Sequence, residues 1–326
     1  MSNTALHHLI RPFLPFLADP RTTEVVVNRP GEFGVEAGTW SWHKDDSLTF
    51  ERLDAIGVLA AFNSSQEFGP HSPLCATVLP GGERLQLCRP PATLPDVISL
   101  TIRKPSERVM RIDDPDFDAL FDATNTGPTR RTRADEHLVA LYRAKDWKAF
   151  FKLAIREKKT LGVAGSTGSG KTTLLRRCLM EIPEIERIVT IEDTAEFGGA
   201  GPPNRVNLLY GDGRANLAAE QVLKASLRMR PDRIIMQEVR GPEAFSFIRG
   251  LANGHSGATS WHADEGDELD VLEMMVKQHP AGVAIPDDAL RRYLRRYIDI
   301  IVWAAKDDTG FKAPRVWFKA AEERAA

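Results

Sequence analysis

Apolar positions recur with different periods in the two halves of the chain. Residues 1–18 carry an apolar face interrupted by Pro12 and Pro15, which predicts a broken amphipathic helix. Residues 23–43, TEVVVNRPGEFGVEAGTWSWH, read as strands around a turn at Arg29-Pro30-Gly31. Leu53, Ile56, Leu59 and Ala60 fall at helical spacing, and a Ser/Gly/Pro loop follows from Ser64 to Pro73. Residues 74–88, LCATVLPGGERLQLC, predict a hairpin turning at Pro80-Gly81-Gly82, and VISLTIR adds a strand. Residues 105 to about 135 are rich in Asp, Thr, Pro, Gly and Arg and break the pattern. A helical stretch, HLVALYRAKDWKAFFKLAIRE, comes next.

From Thr160 onward apolar runs alternate with helical patterns. Strands are expected at Leu161–Ala164, Arg187–Ile191, Val206–Leu209, Ile234–Met236 and Ala258–Trp261, and a hairpin around Asp308-Thr309-Gly310. Such alternation predicts a mostly parallel sheet with helices on both faces. The expected fold class is α/β, a small α+β domain over residues 1–105, a linker over 106–148 and a larger α/β domain over 149–326.

The 326 residues carry a formal net charge of −2, so no strong bulk attraction to nucleic acid or anionic lipid is expected. Cys75, Cys88 and Cys178 are odd in number and form no C-x-x-C pair, which reads as reduced thiols and neither a disulfide framework nor a zinc site. No apolar run approaches the roughly 18 to 20 residues of a membrane span. The N-terminal segment lacks the basic start and small-residue cleavage site of a signal peptide, so it reads as an element packed on its own domain. Membrane-surface contact through Phe13, Leu14, Phe16 and Leu17 is the alternative.

The candidate chemistry centres on Gly165, Ser166, Thr167, Gly168, Ser169, Gly170, Lys171 and Thr172, a full G-x-x-x-x-G-K-[ST] match. Glycines let successive backbone N–H groups point into one concavity, and the following helix N-terminus favours phosphate oxygens. Lys171 is expected to reach the β- and γ-phosphates, and the Thr172 hydroxyl to bind Mg²⁺. An apolar strand before the loop and a helix after it, KTTLLRRCLMEI with Thr173 in its first turn, supply the required context.

RIVTIEDTAEF brings Glu192, Asp193 and Glu196 to one strand end, and DRIIMQEVRG brings Glu238 to another. Hydrolysis needs a positioned water, a group that polarises it and positive charge on the γ-phosphate; Glu196 and Glu238 are candidates for the first two. His255 and His262 bracket a strand of small residues, and their seven-residue spacing is unlike helical metal-ligand spacing. Phosphate sensing is the favoured reading.

Together GSTGSGKTT, TIEDTAEF, SLRMRPDRIIMQEVRG and GHSGATSWHADE resemble the secretion ATPases of type IV secretion, type II secretion and type IV pili. TEVVVNRPGEFGVE, GERLQ and SLTIRKPS resemble the N-terminal domain of the type IV secretion traffic ATPases of the Vir type. The resemblance spans almost the whole chain. It implies a RecA-like ATPase domain and a homo-hexameric ring using ATP and Mg²⁺, with nucleotide between the two domains. It also implies a place on the cytoplasmic face of the bacterial inner membrane, beside the secretion ATPases and channel components of the same system.

By motif, Glu196 would activate water, Glu238 would lie near Mg²⁺, and His262 would sense the γ-phosphate with His255 in support. Arg84 and Arg103 would close over the nucleotide; Arg228 and Arg240 would stabilise phosphate charge or an inter-subunit contact. Gln237 stands where the family usually has a small residue, and the linker, with its cluster Arg130-Arg131-Thr132-Arg133, looks long. Other readings stay open: a type II or pilus-retraction motor, against which the missing four-cysteine module counts; a nucleic-acid translocase; and a docking subunit with negligible turnover.

Overall fold

A computed structural model describes residues 2–105, 111–115, 117–122, 124, 132–212 and 215–322. Arg130 and Arg131 of the basic cluster lie outside the described residues.

The first sheet holds six strands: β1 (Glu24–Val27), β2 (Glu32–Glu36), β3 (Trp40–Lys44), β4 (Leu74–Val78), β5 (Arg84–Cys88) and β6 (Ser99–Arg103). Their order is β3-β2-β1-β6-β5-β4, antiparallel throughout. One face packs Val25, Val27, Leu85, Leu87, Leu100 and Ile102 against helices α1 (Ser2–Leu9), α2 (Leu14–Leu17) and α3 (Phe50–Asn63). The apolar N-terminal side chains are occupied here: Phe13 and Leu17 are buried, and the Phe16 ring lies 5.3 Å from that of Phe33. Among the described residues no helix is long and apolar enough to cross a membrane.

The expected single helical stretch after the linker is two helices, α4 (Arg133–Ala144) and α5 (Trp147–Arg156). Lys145 ends α4 in the left-handed region (φ +56°), and the Asp146 carboxylate caps α5 by accepting the Ala149 N–H at 3.1 Å. α4 lies inside the stretch read as linker, yet it packs Leu138 and Val139 into the second core beside Phe150 and Phe318.

The second sheet has the order β13-β12-β7-β11-β10-β8-β9. Its strands are β7 (Leu161–Ala164), β8 (Ile188–Glu192), β9 (Arg205–Leu209), β10 (Arg233–Met236), β11 (Ser256–Trp261), β12 (Ile300–Asp307) and β13 (Gly310–Phe318). All pairings are parallel except that of β12 with β13. Side chains alternate between two cores, as strand geometry requires. Leu161, Val163, Ile188 and Ile235 face α4, α5, α6 (Lys171–Leu179) and α12 (Lys319–Glu322). Val189, Ile191, Ile234 and Met236 face α7 (Ala219–Ser226), α8 (Glu243–Ala252), α9 (Glu268–Lys277) and α11 (Asp287–Tyr297). The short α10 (Pro280–Val283) joins the last two of these. Buried strands on both faces explain the near-continuous apolar runs of the sequence.

The two sheets meet across a polar seam. Arg187, fully buried, donates from Nε to the Met229 carbonyl at 2.8 Å, from Nη1 to Asn28 and Asn204 Oδ1 at 2.7 Å each, and from Nη2 to Thr101 Oγ1 at 3.3 Å. Arg230 pairs with Glu36 and lies over the Trp40 ring. Glu24 is 3% exposed, and burial pushes its carboxyl up to about 7 against the pull of Arg103, 3.5 Å away. The loop after β5 covers the edge of β9, where Ala92 O accepts the Leu209 N–H at 2.8 Å.

Candidate active site

Parallel register brings the chemistry to one edge. Ala164 at the end of β7 is level with Trp261 at the end of β11, so the phosphate loop and His262 emerge side by side. Met236 of β10 is level with Thr259 of β11 and Ile191 of β8, which delivers Gln237, Glu238 and Asp193 to the same edge. Carboxyl ends of parallel strands are where ligands of such sheets bind.

The loop turns on glycine. Gly165 has φ +149°, and a Cβ there would lie 2.1 Å from the Ala304 carbonyl oxygen. Gly170, at φ +89°, precedes Lys171 at the start of α6, whose free N–H groups and dipole face the loop. Lys171 is buried, and its Nζ donates to the Gly165 and Ser166 carbonyls at 2.9 Å each. Its third proton faces His262 Nδ1 at 3.4 Å. An ammonium only donates, so Nδ1 accepts and the His262 proton belongs on Nε2. Burial draws the Lys171 pKa below its ordinary value against the opposing pull of Glu238.

His262 Nε2 lies 2.8 Å from Glu238 Oε1 without hydrogen-bond geometry, so that buried oxygen has no hydrogen-bond partner among the described residues. Glu238 Oε2 accepts from Arg240 Nη2 at 2.9 Å, and Arg240 Nη1 reaches Asp193 Oδ2 at 2.6 Å. These carboxylates raise the Arg240 pKa. Thr172 stands half-buried in the first turn of α6. Its hydroxyl and the Glu238 carboxylate are hard oxygen donors of the kind that suit Mg²⁺, which binds through few protein oxygens.

The acidic box divides into two parts that sequence alone does not separate. Glu192 is fully buried and accepts four hydrogen bonds: Thr190 Oγ1 at 2.7 Å, Asn207 Nδ2 at 3.0 Å, and the Glu196 and Phe197 N–H groups at 2.8 Å each. It shapes the turn that carries Glu196, which is exposed. Gln237 also braces this edge, since its Oε1 accepts the Asp193 N–H at 3.2 Å and joins the ends of β8 and β10.

Four residues are not brought to the phosphate loop of their own chain. His255 stands at the opposite end of β11 from His262, six strand residues away or roughly 20 Å. Its Nδ1 lies 3.2 Å from the Pro231 carbonyl. Arg84, Arg103 and Arg228 do converge, but on a cavity of about 510 Å³ between the first sheet and Leu227. Arg228 precedes β10, whereas Glu238 follows it, so this cavity lies beyond the amino ends of the parallel strands.

Residues 136–285 match the family model described as Type II/IV secretion system protein. The chain is 36% identical to the type IV secretion system protein VirB11 of Brucella suis biovar 1 (strain 1330) over 327 residues, 97% of this chain and 91% of that protein. It is 41% identical to the type IV secretion system protein PtlH homolog of Bordetella bronchiseptica over 295 residues, 88% of this chain and 86% of that one. The crystal structure of the VirB11 ATPase from the Brucella suis type IV secretion system, in complex with sulphate, superposes with a TM-score of 0.92 at 35% identity, covering 98% of this chain and 96% of that one. With identity of this order across nearly its whole length, the chain belongs to the VirB11 family of type IV secretion system proteins.

Proposed function

We propose that this chain is a Mg-ATP hydrolase that works as a homo-hexameric ring and powers substrate transfer or pilus assembly in a type IV secretion system. The observation that carries the reading is the line from Lys171 through His262 to Glu238 at the mouth of the phosphate loop.

In this reading ATP places its β- and γ-phosphates in the loop, and Lys171 exchanges its two loop carbonyls for phosphate oxygens. Thr172 and Glu238 would hold Mg²⁺, which when bound would supply positive charge to the phosphates. His262 reads the γ-phosphate through its Nε2 proton. Glu196 takes a proton from the attacking water as its oxygen bonds to the γ-phosphorus and the bond to ADP breaks. Glu192 and Gln237 position the acidic turn.

Arg84, Arg103, Arg228 and His255 lie toward the amino ends of the second sheet's parallel strands, opposite the phosphate loop, so they reach a nucleotide only across a subunit boundary. That placement favours a ring in which each site is completed by a neighbour. The domain division at 1–105, 106–148 and 149–326, with α4 of the middle stretch packed on the third, the place at the inner membrane's cytoplasmic face, and contact with secretion ATPases and channel components belong to the same proposal.

The test is steady-state phosphate release by the purified chain with Mg-ATP, with particle mass from light scattering. Turnover from a particle near six protomers supports it. A monomer without turnover sinks it.

A further inference from the structure

A cavity of about 570 Å³ opens at the amino ends of the second sheet's parallel strands. It adjoins the one that gathers Arg84 and Arg228, since Arg103 and Leu227 line both. Lys158, Arg230, His255, Ser256 and Arg296 supply the rest of its polar wall. We infer that this cavity receives the acidic loop after β11, Asp264-Glu265-Gly266-Asp267, of a second copy of this chain. The inference rests on the proposed ring and names a contact that builds it.

Unanswered positive charge gathers at the cavity mouth. Lys158 and Arg230 share Asp232 at 3.3 Å each and are backed by Glu186 and Glu36. Asp299 is taken by Lys319 Nζ and by the Thr160 N–H, at 2.8 Å each. Arg296 is exposed and has no carboxylate partner among the described residues; its guanidinium lies over the Tyr297 ring, 5.8 Å from the centroid. The Arg103 side chain is 63% exposed, and the carboxyl beside it, Glu24, is the one that burial holds partly protonated near neutral pH. Ser256 is 9% exposed, and its Oγ has no hydrogen-bond partner among the described residues. A buried hydroxyl without a partner costs stability, and a carboxylate entering the cavity accepts its proton.

The loop has the opposite need. Asp264, Glu265 and Asp267 are exposed, and their carboxylates make no ion pair or hydrogen bond among the described residues. The loop is nonetheless held in shape from beneath. The Gly266 N–H donates to Glu268 Oε1 at 3.2 Å, the Asp267 N–H to the Asp264 carbonyl at 3.3 Å, and the Trp261 indole N–H to the Glu268 carbonyl at 2.9 Å. A loop ordered in advance loses less entropy on docking.

β11 carries both halves of the contact. Its first residue, Ser256, lines the cavity, and its last, Trp261, leads through His262 into the loop. The two stand at opposite ends of one strand, roughly 20 Å apart, so no chain brings its own loop to its own cavity. A head-to-tail contact of this kind repeats from copy to copy and makes a ring where the rotation closes. The neighbouring features agree in register. The loop lies beside His262 at the phosphate-loop edge, and the cavity lies beside the arginines proposed to meet a neighbour's nucleotide. A neighbour that turns its phosphate loop toward Arg84 and Arg228 brings its acidic loop toward Arg103 and Arg296.

The experiment follows assembly of the full chain by light scattering across a concentration series. One variant reverses the loop, Glu265→Lys with Asp267→Lys; another reverses the cavity mouth, Arg296→Glu. In either variant alone like charges meet at every contact, and the concentration for half-assembly rises at least about tenfold. Mixed in equal amounts, the reversed loop meets the reversed mouth and the native loop the native mouth, so assembly returns to within a few-fold of the wild type with the two chains alternating. The neutral loop, Glu265→Gln with Asp267→Asn, weakens assembly by a smaller factor. Wild-type assembly in the reversed variants, or no recovery in the mixture, overturns the acidic-loop contact while a ring built on other contacts stands. A wild type that stays monomeric overturns the ring and this inference with it.

Discussion

His262 spans the gap between Lys171 and Glu238, with Nδ1 3.4 Å from the ammonium and Nε2 2.8 Å from the carboxylate. One imidazole thus links the phosphate loop on β7 to the carboxylate after β10. His262→Ala should cut turnover about a hundredfold while ADP affinity stays within a few-fold. Phosphate release and ADP titration on the same preparation check it. An equal loss of binding would make the histidine a prop for the loop.

Lys171→Ala should lower phosphate release by at least about a hundredfold and weaken tripolyphosphate binding, since it removes the buried loop cation proposed to hold the phosphates. Melting temperature separates loss of charge from loss of fold. The substitution frees only the Gly165 and Ser166 carbonyls and His262 Nδ1, so little unfolding is expected.

Glu196 and Glu192 should behave oppositely. Glu196→Gln should keep the melting temperature and nucleotide binding and lose turnover, because the exposed carboxylate is the proposed base for the attacking water. Glu192→Ala strands Thr190, Asn207 and two backbone N–H groups, and should destabilise the chain by about 3 kcal/mol or more in denaturant titration. Wild-type stability in Glu192→Ala would remove it as the support of the acidic turn.

Glu24 gives a pH signature. Its carboxyl is raised from 4.5 to about 7 by burial, so the folded chain holds the proton more tightly than the unfolded one. The stability this contributes is complete below pH 4.5 and is lost as pH rises through about 7. Glu24→Gln, which cannot ionise, should match the wild type in acid and exceed it by about 3 kcal/mol at pH 8. Denaturant midpoints across that range test the sign.

If Arg103 acts on a neighbour's nucleotide, two inactive variants should complement. Lys171→Ala mixed with Arg103→Ala before ring assembly should recover turnover, because some interfaces then pair an intact loop with an intact arginine. No recovery would place Arg103 outside the reaction or within its own subunit's site.

The phosphate loop is legible in the sequence because everything it needs is local: a strand, a glycine turn and a helix start within a short stretch of chain. The β4–β5 hairpin is legible for the same reason. Position within the second sheet is harder to read. The motif pairs the two histidines, although the strand between them already implies opposite ends. Glu192 resembles its acidic neighbours in sequence, since only tertiary packing with Asn207 reveals it as structural. Gln237 is a departure from pattern until its bond to Asp193 supplies a reason. Arg187 carries none, because its partners lie up to 159 residues away.

That arginine has a thermodynamic consequence. All four of its side-chain hydrogen bonds end on neutral oxygens, from both sheets at once. Peeling one sheet away would leave a buried cation short of partners before water could reach it, so partial opening is penalised more than complete opening. The two sheets are thereby coupled into one cooperative unit, and heat or denaturant should meet a single melting event where the topology suggests two.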